Sequence, residues 1–242
     1  MRSAPSVLFV LLEPAPDTTA VAWSAIVASG PEAEPFVSGQ LTQDVAGLRE
    51  PRWSLVLQPD STVVAPVWVT RRDGELALVL ERPLAEVTLA RLARFRLRVA
   101  CALELVESVE GPFATLGARV DARWPGPPEA ARALTPHSLG RRVLEATVSF
   151  TKGCYTGQEL VGRLDARGAR VPWRVVVARA ASVEAIEAVL SGRGPEGPRG
   201  VTTAIERDGV VEALGVAHRT LGAGAYDTVT LSEVDEVASA PE

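Results

Sequence analysis

The chain has 242 residues, of which 47% are hydrophobic and 23% are charged, and its formal net charge is −5. This balance is typical of a globular protein of one or two domains, and the acidic excess argues against a basic nucleic-acid-binding surface. The two cysteines, Cys101 and Cys154, are too few for a disulfide framework or a four-thiolate metal site, so they favour a reducing compartment. The apolar run Val7 to Leu12 is too short to span a membrane and is predicted to be a buried strand. We therefore expect a cytoplasmic protein.

The first part of the chain alternates between predicted strands and helices. Apolar runs predict strands at 21–27, 53–57, 63–70 and 75–80, and a helix is predicted within 35–45. Helical spacing then places four apolar residues on one arc, namely Leu84, Val87, Leu92 and Phe95. Alternation over Arg96 to Val106 predicts a strand that buries Cys101 as a structural residue.

The second part of the chain becomes richer in predicted strands after residue 170. Arg141 to Phe150 is predicted to be a strand, and Glu159 to Arg167 a helix that ends at Gly168. A strand at 173–178, a helix capped by Ser182 and strands at 201–206, 210–219 and 228–234 follow. These elements predict an α+β protein with one domain over residues 1–170 and a mostly β domain over residues 171–242.

The segment Lys152 to Glu159 carries the strongest chemical signal. Thr156 and Glu159 have the spacing of a capping box, which predicts that a helix starts at Thr156. Cys154 would then lie just before the positive end of the helix dipole, beside the cation of Lys152, and both effects favour a thiolate. Gly153 and Gly157 would permit unusual backbone angles or the close approach of a ligand. A cysteine that is merely packed near a helix start remains the structural alternative.

The residues from Val148 to Leu160 resemble the signature of the YgfZ family of folate-binding proteins, which are relatives of the glycine cleavage aminomethyltransferase. The blocks 39–45 and 164–168 are similar to further segments of that family. The resemblance implies a folate-binding α+β body with a C-terminal β-barrel, and a tetrahydrofolate-dependent role in assembling or repairing iron–sulfur clusters of other enzymes. Effects on tRNA modification would be indirect. The resemblance also makes Cys154 the key thiol, with Lys152 beside it. The remaining motif residues are Gly153, Tyr155, Gly157, Gln158 and Glu159.

The chain also departs from the family pattern. Pro66 stands where the relatives carry a carboxylate used in folate chemistry, which disfavours an aminomethyl transfer reaction because proline cannot accept a proton. Asp121 is either the remnant of a pterin-binding glutamate or an exposed turn residue, and the folate pocket is expected to be altered. Gln40 and Asp44 are further candidates for folate contact, with a solvated helix face as the alternative.

Three functions remain open from the sequence. The first is a folate-binding accessory protein with iron–sulfur enzymes or assembly proteins as partners and no direct contact with nucleic acid or membrane. The second is a folate-dependent one-carbon transferase, and the third is a scaffold that has lost folate. The histidines His137 and His218 have no metal-ligand spacing, so no metal site is predicted. A nucleophilic pair of Cys154 with His137 is conceivable from their order in the chain.

Overall fold

The computed structural model describes residues 13–168, 170–192 and 195–235. The predicted strand from Val7 to Leu12 lies outside these residues. The strands are β1 (Ala15–Pro16), β2 (Trp23–Ser29), β3 (Arg52–Leu57), β4 (Val63–Arg72), β5 (Glu75–Glu81), β6 (Ala102–Val109), β7 (Trp173–Ala180), β8 (Gly200–Arg207), β9 (Val210–His218), β10 (Gly224–Tyr226) and β11 (Val229–Glu233). The helices are α1 (Ala33–Gln40), α2 (Ala85–Phe95), α3 (Leu116–Asp121), α4 (Pro127–Ala130), α5 (Arg141–Thr147), α6 (Gln158–Ala166) and α7 (Val183–Ser191), with 3-10 turns at Arg82–Leu84 and Pro136–Leu139.

A five-stranded antiparallel sheet forms the first half of the molecule, in the order β3-β4-β5-β2-β6. Alternate side chains of its strands point to opposite faces. Val56 therefore packs into the core that contains α1 and α2, whereas Leu55 and Leu57 pack into a second core on the other face. This confirms the predicted strands at 53–57, 63–70 and 75–80. The helix predicted within 35–45 is present only in its first half, because α1 ends at Gln40.

A six-stranded sheet forms the second half, in the order β1-β8-β9-β7-β11-β10. The pair β1–β8 is parallel and the other pairs are antiparallel. Helix α7 covers one face, and it has the predicted N-cap, since the side chain of Ser182 accepts from the N–H of Ala185 at 3.3 Å. The mixed α+β class is confirmed, but the sheet order is open within the described residues, so the expected barrel is not confirmed. The domain boundary at residue 170 stays a prediction.

The two sheets share one hydrophobic core. Leu55 and Leu57 of the first sheet meet Val175, Val177 and Leu214 of the second sheet in this core. Side chains from α5, α6 and the loop between these helices fill the same cluster. The loop that carries the predicted motif is therefore anchored where both halves of the molecule meet. No helix in the described part of the chain is long and apolar enough to cross a membrane.

Three local predictions were wrong. Residues 141–147 form helix α5 rather than a strand, because Val143, Leu144 and Thr147 share one buried face and Asp235 accepts the first two helical N–H groups at 2.8 and 2.9 Å. The predicted strand at 96–106 begins only at Ala102. On α2 the predicted arc is rotated, since the residues facing inward are Ala85, Thr88, Arg91 and Leu92. Val87 and Phe95 are exposed.

A buried arginine joins the two halves. Arg119 of α3 is 2% exposed and donates to Trp124 O at 3.1 Å, to Glu129 Oε2 at 3.2 Å and to Thr203 Oγ1 of β8 at 3.2 Å. Its Nε lies 3.2 Å from Glu81 Oε1, at the end of β5. Burial raises the pKa of Glu81 to about 7, Arg119 opposes this shift, and the nearby Glu129 adds to it. The cluster therefore holds a carboxyl group that is only partly ionised at neutral pH.

The pKa of Glu81 predicts how stability varies with pH. A carboxyl pKa of about 7 in the fold, against 4.5 when unfolded, gives stabilisation that is complete below pH 4.5 and is lost as the pH rises through 7. Replacing Glu81→Gln should therefore reduce the fall in unfolding free energy between pH 5 and pH 8 by about 2 kcal/mol. Urea denaturation at several pH values measures this, with Glu75→Gln on the exposed end of β5 as the control. Parallel profiles for the wild-type and Glu81→Gln proteins would contradict it.

Candidate functional site

The loop between α5 and α6 presents an exposed thiol. Cys154 is exposed and free, and among the described residues no hydrogen bond involves its sulfur. Cys101 is the opposite case, because it is buried and its thiol donates to Ala102 O at 3.4 Å. Burial also raises the pKa of Cys101. Of the two thiols, Cys154 is therefore the one that a partner or reagent can reach.

Lys152 fixes this loop to the end of α1. Its Nζ donates to Ser38 O at 2.6 Å, to Leu41 O at 2.8 Å and to Gln43 O at 3.1 Å. An ammonium group has three N–H bonds, so these carbonyls account for all of them. Burial lowers the pKa of Lys152, and Asp44 opposes that shift. The side chain is thus engaged in holding the loop, and its predicted effect on the thiol stays a prediction.

The residues that follow Cys154 are held as firmly. Tyr155 is buried in the core shared by the two sheets, and this burial raises its pKa to about 12. The N–H of Thr156 donates to Gly39 O at 3.1 Å. Gly157 has a φ of +87°, and its carbonyl accepts from Ser61 Oγ at 2.5 Å. By contrast, a methyl group added at Gly153 would have no heavy atom within 4 Å, so the space beside the thiol is open.

The predicted capping box does not form. Helix α6 begins at Gln158 after Gly157, which occupies the left-handed region, and no side chain caps it. Thr156 instead donates its hydroxyl to Gln40 Oε1 at 3.3 Å, and Glu159 pairs with Arg163 at 2.5 Å. The N-cap lies one residue later than predicted, at Gly157 rather than Thr156, because the chain turns at Gly157 with its Cα close to Gln58 O. Cys154 is therefore four residues from the first helical residue, farther from the helix end than predicted.

The candidate folate contacts lie in two separate places. Gln40 is buried beside the motif, where it accepts from Arg91 Nη1 at 3.0 Å as well as from Thr156. Asp44 is exposed and accepts from the N–H of Ala46 at 3.1 Å. Asp121 lies on α3 and pairs with Arg207 of β8 at 3.1 Å. The described contacts therefore bring Gln40 to the motif but leave Asp121 at a different surface, and any folate contact by these residues stays a prediction.

The surroundings of Pro66 are filled by aromatic rings. Pro66 lies in β4 beside a space of about 10 Å³, which is barely enough for one water. Trp53 occupies this region, with ring centroids 4.4 Å from Trp124, 5.1 Å from Trp68 and 5.9 Å from Phe113. The tryptophans at 53 and 68 are therefore packing residues. The interior beside Pro66 has no room for a pteridine ring.

An open groove of about 900 Å³ lies on another face, between α5, the end of α6 and strands β7 and β11. His137 lines it, and neither ring nitrogen has a hydrogen-bond partner among the described residues. The conceivable Cys154–His137 pair is therefore not formed. Arg170 and Arg219 also line this groove. The sequence suggested for His137 only a conceivable pairing with Cys154, because residues from 137 to 235 meet in this groove by tertiary folding alone.

The geometry of Gly157 leads to a test of the loop. Gly157→Ala would place its Cβ 2.8 Å from Gln58 O at a positive φ, so we expect the free energy of unfolding to fall by about 2 kcal/mol. Gly153→Ala is the matched control, because its Cβ enters open space and should change stability by less than about 0.5 kcal/mol. Urea denaturation measures both. Equal stability of the two variants would contradict the assigned strain.

The three bonds of Lys152 lead to a second test. Lys152→Met leaves the carbonyls of residues 38, 41 and 43 without this donor, so we expect a loss of about 2–3 kcal/mol of stability. The amide of Thr156 should also exchange its hydrogen faster. The control is Arg167→Met, which removes an exposed cation just after α6. If Lys152→Met is no less stable than this control, the loop is not held by the ammonium group.

Comparison with known proteins finds similarity in sequence over much of the chain and similarity in fold. No family model matches the chain. A tRNA-modifying protein YgfZ from Klebsiella pneumoniae is 26% identical, in a match that covers 61% of this chain and 66% of that protein. The chain therefore spans slightly less than two thirds of this curated relative. An uncharacterised protein from Haemophilus influenzae is 45% identical over 42 residues, which are 17% of this chain and 15% of that protein.

One similar solved structure is the glycine cleavage system aminomethyltransferase T from Bartonella henselae. Its TM-score is 0.51 at 15% identity, and the match covers 84% of this chain and 80% of that one. At this identity the likeness establishes the fold alone. It agrees with the α+β body that the sequence predicts. Together the sequence match and the fold match confirm the resemblance carried by residues 148–160: this chain is similar to the YgfZ proteins and has the fold of the aminomethyltransferase.

Proposed function

We propose that this protein is a folate-binding accessory protein that supports the assembly or repair of iron–sulfur clusters in other enzymes, with Cys154 as its key thiol. The observation that carries the proposal is the exposed sulfur on a loop whose neighbouring residues are fixed by Lys152, Tyr155 and Gly157. A thiol held at the surface in this way is accessible to large partner proteins. A small substrate would more commonly be bound in a closed site.

The surroundings of Cys154 suit a ligand or acceptor role better than that of an enzyme nucleophile. A nucleophilic thiol is normally activated by a neighbouring base, and no described side chain forms a hydrogen bond with this sulfur. A single cysteine can supply one ligand to an iron–sulfur cluster, so the others would come from the client enzyme or from small thiols. Within the described residues, no group of three metal-binding side chains offers a resident metal site.

The proposed link to tRNA modification is indirect. The Klebsiella relative is named a tRNA-modifying protein. With a net charge of −5, this chain is not suited to bind the tRNA phosphate backbone. The proposal therefore has cluster-containing modifying enzymes as clients, in the cytoplasm, with no direct contact to nucleic acid or membrane.

The two alternatives from the sequence are separated by different observations. A one-carbon transferase would need a proton acceptor beside bound folate, and Pro66 faces a space too small for that ligand. Glu81 lines the same space, but it is already paired with Arg119. Nothing in the site favours transfer chemistry. A scaffold without folate would be distinguished by calorimetry, because it would bind no tetrahydrofolate derivative.

Replacing the thiol tests the proposed function. In cells that lack the gene, Cys154→Ser should restore no more activity of cluster-dependent enzymes under oxidative stress than the empty vector does, because the thiol is the proposed working group. The purified variant should keep the thermal stability of the wild type, since the side chain is exposed and unbonded.

The control is Arg142→Gln on the exposed face of the neighbouring helix α5, outside the motif, which should restore the enzymes as the wild type does. Full restoration by Cys154→Ser would refute the role of the thiol.

A further inference from the structure

The groove between α5, α6 and the second sheet has the size of a small-molecule site. Its volume of about 900 Å³ lies within the range of ~300–1,000 Å³ that such sites occupy. Four apolar residues contribute to its wall, namely Leu144, Val171, Val175 and Val234. Phe150, which is half exposed and lies four residues before Cys154, adds an aromatic edge. The groove is therefore lined in part by the loop that carries the thiol.

His137 gives the groove an unmet demand for hydrogen bonds. Its side chain is 7% exposed, and both Nδ1 and Nε2 are buried without a partner in the described part of the chain. Buried polar atoms are almost always bonded, and one left alone costs about 1–3 kcal/mol. Burial lowers the pKa of His137, with Asp165 opposing the shift, so the ring is neutral near pH 7. A neutral imidazole offers one donor and one acceptor.

Two arginines on the rim have guanidinium groups that are not already paired within the described part of the chain. Arg141 pairs with Glu145, and Arg174 pairs with Glu233. Asp235 is occupied by the first N–H groups of α5. Arg170 and Arg219 are exposed and have no side-chain partner among the described residues, so their guanidinium groups remain available to carboxylates. The acidic residues of this rim outside a described ion pair are Asp165 and Asp235.

We propose that this groove is the folate site of the protein, with the flat polar head of the ligand at His137 and its glutamate carboxylates at Arg170 and Arg219. The inference rests on the proposed folate-binding function, and it adds where the ligand lies. A pteridine ring presents neighbouring hydrogen-bond donors and acceptors, the benzoyl ring matches the apolar wall, and the glutamate end matches two unpaired arginines. The space beside Pro66 meets none of these requirements, because tryptophan rings fill it.

Calorimetry with the full chain and 5-formyltetrahydrofolate, as the monoglutamate and the triglutamate, tests the location. The double variant Arg170→Gln/Arg219→Gln should weaken binding about tenfold or more, and the loss should be larger for the triglutamate. The wild type should bind less tightly at high salt, and the double variant should lose much of this salt dependence. Arg167→Gln removes a neighbouring cation that does not line the groove, and it should bind as the wild type does.

His137→Leu is the second variant. It should weaken binding of the monoglutamate about tenfold while leaving the fold at least as stable as the wild type, because it removes two unbonded buried nitrogens. If the wild type binds neither ligand, the folate part of the proposed function fails and the groove assignment fails with it. If the wild type binds and the groove variants bind equally well, only the location is overturned. Cys154→Ser should bind normally in either case, since the thiol is not part of the groove.

Discussion

The ammonium group of Lys152 joins parts of the chain that are more than a hundred residues apart. The last carbonyls of a helix have no partners within it and carry the negative end of the dipole, so a cation at this end is favourable. Lys152 meets that need at Ser38 O in the last turn of α1, and its other two N–H bonds reach Leu41 O and Gln43 O just beyond the helix. These three bonds offset the cost of burying the charge. Helix α1 packs on the first sheet, whereas Tyr155 enters the core shared with the second. The position of Cys154 thus depends on an interaction that involves no atom of the cysteine.

Bulky aromatic side chains and open space are divided between two regions of the molecule. Trp53, Trp68 and Trp124 fill the region beside Pro66, and the buried Arg119 closes it by linking β5 to β8 through Glu81 and Thr203. These contacts stabilise the junction between the sheets, and they fill the space in which an internal cavity could lie. The room for a ligand lies instead in the groove at His137. A chain can therefore keep the aminomethyltransferase fold while its interior supports a different chemistry.

Strong local patterns in the sequence predicted much of the fold, while tertiary contacts decided the rest. Ser182 and the spacing that follows it are a sufficient local signal for α7, and alternation is sufficient for β3, β4 and β5. The local sequence of residues 141–147 predicts a strand. The helix forms instead with Asp235 as its cap, and Asp235 is distant in sequence. Thr156 lost its predicted role because Gln40 and the turn at Gly157 compete for it. The burial of Arg91 on α2 was equally invisible, since only tertiary structure brings it to Gln40 and to the carbonyl of Leu57. The motif pointed to Cys154, which lies exposed at the surface and whose role stays a prediction, whereas the groove has no continuous sequence signal.

The contrast between the two cysteines has a practical consequence. Cys101 is buried and Cys154 is exposed, so a maleimide fluorophore or a nitroxide label added to the native chain should attach at one defined position. The label would be attached to a loop that is anchored on both sides. The motion of the label would therefore change when a protein binds against this loop. Quenching of the fluorophore, or slowing of the nitroxide, would identify client proteins by direct contact and would measure how fast they leave. The native sequence thus provides a single-site spectroscopic reporter without the substitution of any residue.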